Sequence, residues 1–501
     1  MIPLLALRNF AYRPWRSALL FLGYGMGVTV MIVLLSIGEA LITQASDERL
    51  VGGGDVTVLP EGLDVEVMKT GGLGGLFFSI GNARFVYSQI LASPRLARDV
   101  RAVAPQIEDK LVYLRTRDGA ERTVRASADV PSATRAVGAA PELLAGRWED
   151  DAGDRRWARP TPAELRHDID HFHVPSDSTG DLSTWAEWHY FNVLSHDERR
   201  WAFVALIVSG DVPAGRHAAT FTVTLREQGG ATRRFAAAVP AGEVRFSTSD
   251  ADVTAGAASV TVLPDGRYAV RGRATAEQGT GTVDVDLVVS PAAGAYLPSA
   301  SRGTDDSFGY VVPGLRASAS GRICTDGARG ACDVYDGAQS YHDHNWGVWR
   351  DVTWEWGASR AGQYTVLYGR VHPAGAPASG PLYVYLVDSL GFLGAFRPPR
   401  ISYEDGRQIA VNGRPLRVPS RATMVDVRGD DTLRIAIDVD DAIGTDFSGM
   451  LGGEGRGDAA RAAPPGAQPY FIQMKGRMTL EGRVRGVPVR GTGAGFFETY
   501  R

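Results

Sequence analysis

The stretch Tyr341-His342-Asp343-His344-Asn345-Trp346-Gly347 packs an acid, two imidazoles, a phenol, an amide and an indole into seven residues. Gly337-Ala338-Gln339-Ser340 before it and Val348-Trp349 after it make it read as a strand emerging from a loop. On a strand, alternate side chains share a face. Tyr341, Asp343 and Asn345 are then expected on one side, and His342, His344 and Trp346 on the other. One face can serve a cavity while the other packs.

Outward from this stretch the chain is rich in strand signals. Trp201 to Ser209, Ala219 to Arg226, Thr282 to Ser290, Gln363 to Val371, Thr432 to Asp438 and Tyr470 to Leu480 carry strand signatures. Pro264-Asp265-Gly266, Asn412-Gly413 and Glu481-Gly482 read as turns between such runs. Many strands joined by short turns fit a barrel or a sandwich, and about 335 residues is too long for one small barrel. The expected fold is therefore mainly β, with two tandem barrels at 161–345 and 346–501. Residues 46–160 read as a small α+β segment. It contains a strand near Asp55 to Pro60, a helix from Arg84 to Val103, and a hairpin from Lys110 to Ala126.

The N-terminus sets the location. Ser17 to Gly38 is a run of 22 residues without a charge, about 33 Å as a helix and long enough for a bilayer core. Arg8, Arg13 and Arg16 precede it, while Glu39, Asp47 and Glu48 follow it. The positive-inside rule then expects residues 1–45 to be a single-pass inner-membrane anchor with the N-terminus in the cytoplasm. The bulk of the chain is expected outside. A cleaved signal peptide competes, but the apolar run exceeds the usual length and no clean cleavage site follows.

Lys plus Arg is 53 against Asp plus Glu at 57, a formal charge of −4 without long single-sign blocks. That balance argues against nucleic acid as a partner. The two cysteines, Cys324 and Cys332, are expected to form a disulfide if the chain is exported. Their spacing matches no usual zinc site. His167, His171 and His173 cluster with Asp168 and Asp170, and His342 and His344 share a strand face, which is a possible Zn²⁺ or Cu²⁺ pattern. Because the first cluster precedes the first clear strand it reads as a polar linker, and no metal or other cofactor is assigned. Ser-based hydrolysis lacks a G-x-S-x-G elbow.

Two places carry a resemblance: Trp185-Ala186-Glu187-Trp188-His189-Tyr190-Phe191-Asn192, and the opening Tyr341 to Gly347 stretch. Together they resemble the carotenoid 1,2-hydratase and AttH group of lipocalin-like proteins, over about residues 165–501. The resemblance implies two consecutive lipocalin-like β-barrels with an apolar ligand cavity. It also implies, in the hydratase members, addition of water to a terminal double bond of a long isoprenoid without a redox cofactor. The Y-x-D pair those members use for protonation falls on Tyr341 and Asp343. Where they carry an upstream H-x-W pair, this chain reads Tyr310-Val311-Val312-Pro313-Gly314. The N-terminus, from Leu5-Ala6-Leu7-Arg8-Asn9 to Ser36-Ile37-Gly38-Glu39-Ala40, resembles the first helix of a macrolide-exporter-type ABC permease, whose other membrane helices are missing here.

Protonating an alkene needs a carboxylic acid kept neutral, and burial in an apolar cavity raises an Asp pKa. Asp343 is the expected acid and Tyr341 its partner. Glu187, Trp188, His189, Tyr190, His342, His344, Asn345 and Trp346 are expected to line an apolar, isoprenoid- or lipid-like ligand. The bland reading has Asp343 and Asn345 bonding backbone amides at an inter-barrel crossover, with Trp346 as core. A different class of function is a non-catalytic accessory subunit that binds ligand for an ABC permease and its ATPase.

Overall fold

The computed structural model describes residues 14–45, 56, 80–138, 149–175, 182–301, 308–326, 330–349, 352–372, 380–446 and 470–501. The strand expected from Asp55 to Pro60 lies outside these apart from Val56. The chain divides into two compact units, residues 1–77 with 102–151, and residues 78–101 with 152–501. The described helices are α1 (Pro14–Ala45), α2 (Ile80–Ala92), α3 (Pro131–Ala136), α4 (Ala152–Trp157) and α5 (Pro162–Ile169).

In the first unit, α1 contains a 24-residue segment, Pro14–Ile37, long and apolar enough to cross a bilayer. Its leucines, Val30 and Phe21 point outward on every side, the pattern of a helix meant for an apolar surround. The expected hairpin is present as β1 (Gln106–Arg115) and β2 (Glu121–Asp129), paired antiparallel.

The second unit holds α2, which was expected within the 46–160 segment and to run on to Val103. It ends at Ala92 because Pro94 disfavours helical geometry in the residue before it. Helix α5 starts on a capping box: the Thr161 hydroxyl accepts from the Glu164 N–H and the Glu164 carboxylate accepts from the Thr161 N–H. Arg84 on α2 grips Asp168 on α5 through two bonds of 2.6 Å, so these helices are locked to one another.

The strands of the first sheet are β3 (Trp185–Leu194), β4 (Arg200–Asp211), β5 (Arg216–Glu227) and β6 (Thr232–Pro240), then the short β7 (Val244–Phe246), β8 (Val253–Ala255) and β9 (Ala258–Val262). They continue with β10 (Tyr268–Ala276), β11 (Thr282–Pro291), β12 (Leu297–Ser301), β13 (Phe308–Thr325) and β14 (Cys332–Val348). Neighbours run β11-β13-β14-β3-β4-β5-β6-β10, and β10 pairs back onto β11. Eight strands therefore close into a barrel, which leaves these strands no free edge. Phe191, Phe221, Tyr268, Val204 and Val285 fill its interior. Cys324 and Cys332 face each other in register across β13 and β14 and are disulfide-bonded.

The second sheet uses β15 (Thr353–Ala361), β16 (Tyr364–His372), β17 (Tyr383–Asp388), β18 (Gly391–Phe396) and β19 (Ser402–Glu404). A separate hairpin, β20 (Arg407–Val411) and β21 (Arg414–Val418), turns at Asn412-Gly413 as expected. The sheet resumes with β22 (Arg421–Arg428), β23 (Asp431–Asp446), β24 (Tyr470–Val484) and β25 (Val487–Tyr500). Its order is β18-β17-β16-β15-β25-β24-β23-β22-β19. This is a curled half-barrel: among the described residues its two ends do not pair. The expectation of a mainly β chain behind an apolar helix and a small α+β segment thus holds. The first sheet ends at Val348 and the second begins at Thr353, a few residues past the expected junction.

One expected turn is displaced. Glu481-Gly482 lies inside β24, and the chain reverses at Arg485-Gly486 instead. Gly482 serves close approach rather than reversal, since a Cβ there would sit 2.0 Å from the Thr432 carbonyl on β23.

The two sheets are clamped together. Arg226 on β5 makes a bidentate pair with Asp441 on β23, at 2.9 and 2.8 Å. Leu194, Trp201 and Phe203 pack against Ile443, Ala494 and Phe496. Val312, Leu315 and Tyr341 pack against Trp356, Leu367 and Val387.

Close packing inside the barrel gives a direct test. A Cβ added at Gly272 would lie 2.4 Å from the ring of fully buried Phe221. Gly272→Ala should destabilise by about 1–3 kcal/mol, read as a lowered midpoint in thermal melts of the full chain in detergent. An unchanged midpoint would mean the Phe221 ring is free to shift.

Candidate functional site

The site is built on β14, whose neighbours are β13 and β3. Its register with β3 pairs Tyr341 with Asn192, Asp343 with Tyr190 and Asn345 with Trp188. It also pairs His342 with Phe191, His344 with His189 and Trp346 with Glu187. Because directly opposed residues point to the same side of a sheet, the ten predicted residues separate into two groups. Tyr341, Asp343, Asn345, Trp188 and Tyr190 face the second sheet. His342, His344, Trp346, Glu187 and His189 face the barrel interior. The expected alternation is present, but no single cavity is lined by all ten.

On the outer face, Asp343 is buried and its carboxyl is held on both oxygens. The Tyr341 hydroxyl donates to Oδ2 at 2.8 Å and the Asn345 amide donates to Oδ1 at 2.7 Å. Trp356 of β15 donates its indole N–H to the Tyr341 oxygen at 2.8 Å, orienting the phenol toward Asp343. Asp343 thus bonds side chains rather than the backbone amides of the bland reading. Burial pushes its carboxyl up to about 7, against the pull of the Tyr341 and Asn345 bonds and the His344 charge. Burial raises the Tyr341 phenol well above its ordinary range, as does the Asp343 charge, so it stays a donor.

A second carboxyl completes this face, and no local motif announced it. Glu498 stands opposite Trp356 in the β15–β25 register. Trp354 donates to its Oε2 at 2.9 Å and Gln473 to its Oε1 at 3.5 Å. Glu498 keeps part of its surface open, yet it is enclosed deeply enough that burial lifts its carboxyl to about 7, helped by the charge of Asp343. The only signal in the sequence is a lone acid in the otherwise uncharged run Gly493 to Tyr500. Tyr190, Tyr310, Asn345, Trp354 and Gln473, like Glu498, are only partly buried. Asp343 is therefore buried beside polar-tipped aromatic and amide side chains that retain some accessible surface.

The inner face has a different character. Asp170, just past α5, accepts from His344 Nδ1 and from the Tyr268 hydroxyl, both at 2.5 Å. Burial opposes its charge, but His344, His342 and His189 hold its carboxyl well below the ordinary range. His344 Nε2 lies 2.8 Å from Glu187 Oε1, at ion-pair distance though outside hydrogen-bond geometry. Burial disfavours its charge, yet Asp170 and Glu187 together push His344 up to about 10. Glu187 also accepts the backbone N–H of His173, whose ring stacks on Trp346 at 3.6 Å. Burial lowers His189 well below its usual value and lowers His342. The 167–173 stretch is therefore no polar linker: Asp170 and His173 enter this network, while Asp168 binds Arg84 and His167 pairs with Asp250.

No family model matches the chain, and no curated protein matches it. Among solved structures, it is similar to a protein described as AttH from Nitrosomonas europaea, at 15% identity over 66% of this chain and 98% of that one, with a TM-score of 0.42. It is also similar to CghA bound to Sch210972, at 15% identity over 68% and 96%, TM-score 0.42. A third is kievitone hydratase from Nectria haematococca, at 13% identity over 66% and 94%, TM-score 0.37.

The raised carboxyls carry a stability consequence with a definite sign. Asp343 and Glu498 bind protons in the folded chain at pH values where the unfolded chain has released them. Stability is then fully present below pH 4 and declines as pH rises toward 7. Asp343→Asn and Glu498→Gln should each flatten the fall in melting temperature between pH 5 and pH 8. A slope equal to that of the unaltered chain in both variants would mean neither group is perturbed.

Proposed function

We propose that the chain is a membrane-anchored, extracytoplasmic acid catalyst that adds water to, or isomerises, a carbon–carbon double bond in an apolar, isoprenoid- or lipid-like molecule. The observation that carries this reading is the Asp343 carboxyl, buried, half-protonated near neutrality, and oriented by Tyr341 and Asn345 beside partly open aromatic side chains. General acid catalysis is most effective when the catalytic pKa lies near the working pH.

In hydration, Asp343 gives its proton to one alkene carbon and leaves a carbocation on the other. Trp354, Trp356 and Tyr190 surround this pair of carboxyls, and aromatic rings suit a cation. Water attacks the cationic carbon, and its surplus proton passes to ionised Glu498, so one C–H and one C–O bond form as the C=C π bond is lost. Return of that proton from Glu498 to Asp343 resets the pair. Isomerisation omits the water and returns a proton from a neighbouring carbon. The apolar segment Pro14–Ile37 supports an anchor, and the Cys324–Cys332 disulfide supports an oxidising compartment.

The test is incubation of the full chain in detergent with a linear isoprenoid ending in an isopropylidene group, in ¹⁸O-labelled water, followed by mass spectrometry. Product carrying one labelled water is expected. Asp343→Asn should lower turnover by about 10²–10⁴-fold, with ligand still bound. The rate should peak near pH 7, falling at higher pH as Asp343 ionises and at lower pH as Glu498 protonates. Ligand that co-purifies and is never altered, with Asp343→Asn indistinguishable from the unaltered chain, would leave a carrier and remove the enzyme.

A further inference from the structure

Five of the chain's nine histidines, His171, His173, His189, His342 and His344, gather with Asp170 and Glu187 at the inner face of the barrel. The catalytic reading gives none of them a step in proton transfer. Most of their polar atoms have partners: His344 reaches Asp170 and Glu187, and His173 reaches Glu187. One trio does not. Asp170, His189 and His342 bring one ligand atom each to within 4.8 Å of one another, and all three are at most 1% exposed.

The orientation of these rings is specific. His342 Nδ1 lies 3.0 Å from the Tyr190 carbonyl, so that nitrogen carries the N–H and donates it. Its Nε2 then turns a lone pair toward Asp170 Oδ2, 3.6 Å away, too far for a hydrogen bond. Neither ring nitrogen of His189 meets hydrogen-bond geometry among the described residues, although the Ala251 backbone lies close enough to act on its ring. Lone pairs from an imidazole and a carboxylate thus converge without a proton between them, beside a second buried imidazole, His189. Such an arrangement is repulsive alone and favourable around a cation.

We propose that Asp170, His189 and His342 bind one divalent transition-metal ion of the zinc class inside the first barrel, on the face of β14 opposite Asp343. Two imidazoles and one carboxylate are a common donor set for such ions. With metal–ligand bonds near 2.05 Å, a tetrahedral edge is about 3.3 Å, so the 3.6 Å His342–Asp170 edge needs a small contraction and the other edges, all within 4.8 Å, a closing-in of the His189 ring. The outer contacts match as well. Ligating histidines commonly donate the other ring N–H to a carbonyl, as His342 does to Tyr190. The Asp170 carboxylate is in turn held by Tyr268 and His344. Three protein ligands leave a fourth position for water.

The test uses the full chain, purified in detergent without a histidine tag. Metal content is read by inductively coupled plasma mass spectrometry, and Co²⁺ is added to chelator-treated protein as a visible-absorption probe. About one Zn²⁺ per chain and Co²⁺ ligand-field bands are expected, both lost in His189→Gln and His342→Gln. Asp343→Asn and Glu187→Gln should keep both. Zn²⁺ should also raise the melting temperature of the chelated, unaltered chain, a reading that needs no variant. The proposal is overturned by absence of metal and of Co²⁺ bands in the unaltered chain. It is equally overturned if Glu187→Gln loses the metal while His189→Gln retains it, since the ion would then sit among His173, Glu187 and His344.

Discussion

Both faces of β14 are buried, one by the interior of its own barrel and the other by the second sheet. A central strand enclosed on both sides is usually apolar throughout. This one carries Tyr341, His342, Asp343, His344 and Asn345 in succession, so every one of these groups must find a partner inside the protein or be tuned by lacking water. The rest of the unit can be understood as the supply of those partners. Strand β3 brings Glu187 and His189 to one side, and Trp188 and Tyr190 to the other. The segment after α5 brings Asp170, and β15 brings Trp356.

The clamp between the sheets is what makes the outer face a site rather than a surface. Were β15 and β25 absent, Asp343 would lie on an exposed barrel wall and its carboxyl would stay near its ordinary value. The Arg226–Asp441 pair and the aromatic contact of Phe203 with Phe496 hold the second sheet over it. The partly open Tyr190, Trp354 and Glu498 mark where that cover is incomplete.

The strand assignment and the division of β14 into two faces were legible from alternation alone, because period two is a property of local backbone geometry. The Asn412-Gly413 turn was legible for the same reason, since both residues take positive φ there. Glu498 was not, because its place opposite Trp356 depends on pairing across more than a hundred residues of chain. Asp170 and His173 were visible as a cluster with metal-ligand character, but their delivery into the barrel depends on α5 docking beside α2. The Gly482 error has a similar origin: a glycine that permits close strand approach looks, in sequence, like one that permits a turn.

The two faces differ in what they do as pH changes, and that difference follows from their partners. On the inner side, Asp170 is pulled down by surrounding imidazoles and His344 is raised to about 10 by two carboxylates. The pair therefore stays ionic across the neutral range. On the outer side, Asp343 and Glu498 have donors but no cation in contact, so burial wins and both titrate near 7. The faces still communicate, since the His344 charge acts on Asp343 through one thickness of strand and draws its pKa down. The Tyr341 and Asn345 hydrogen bonds, and after them the positive charge behind the acid, keep Asp343 near neutrality instead of far above it. An acid pushed higher would hold its proton too firmly to lend it to an alkene. The inner network, whatever it binds, thereby helps set the strength of the acid on the other side of the strand.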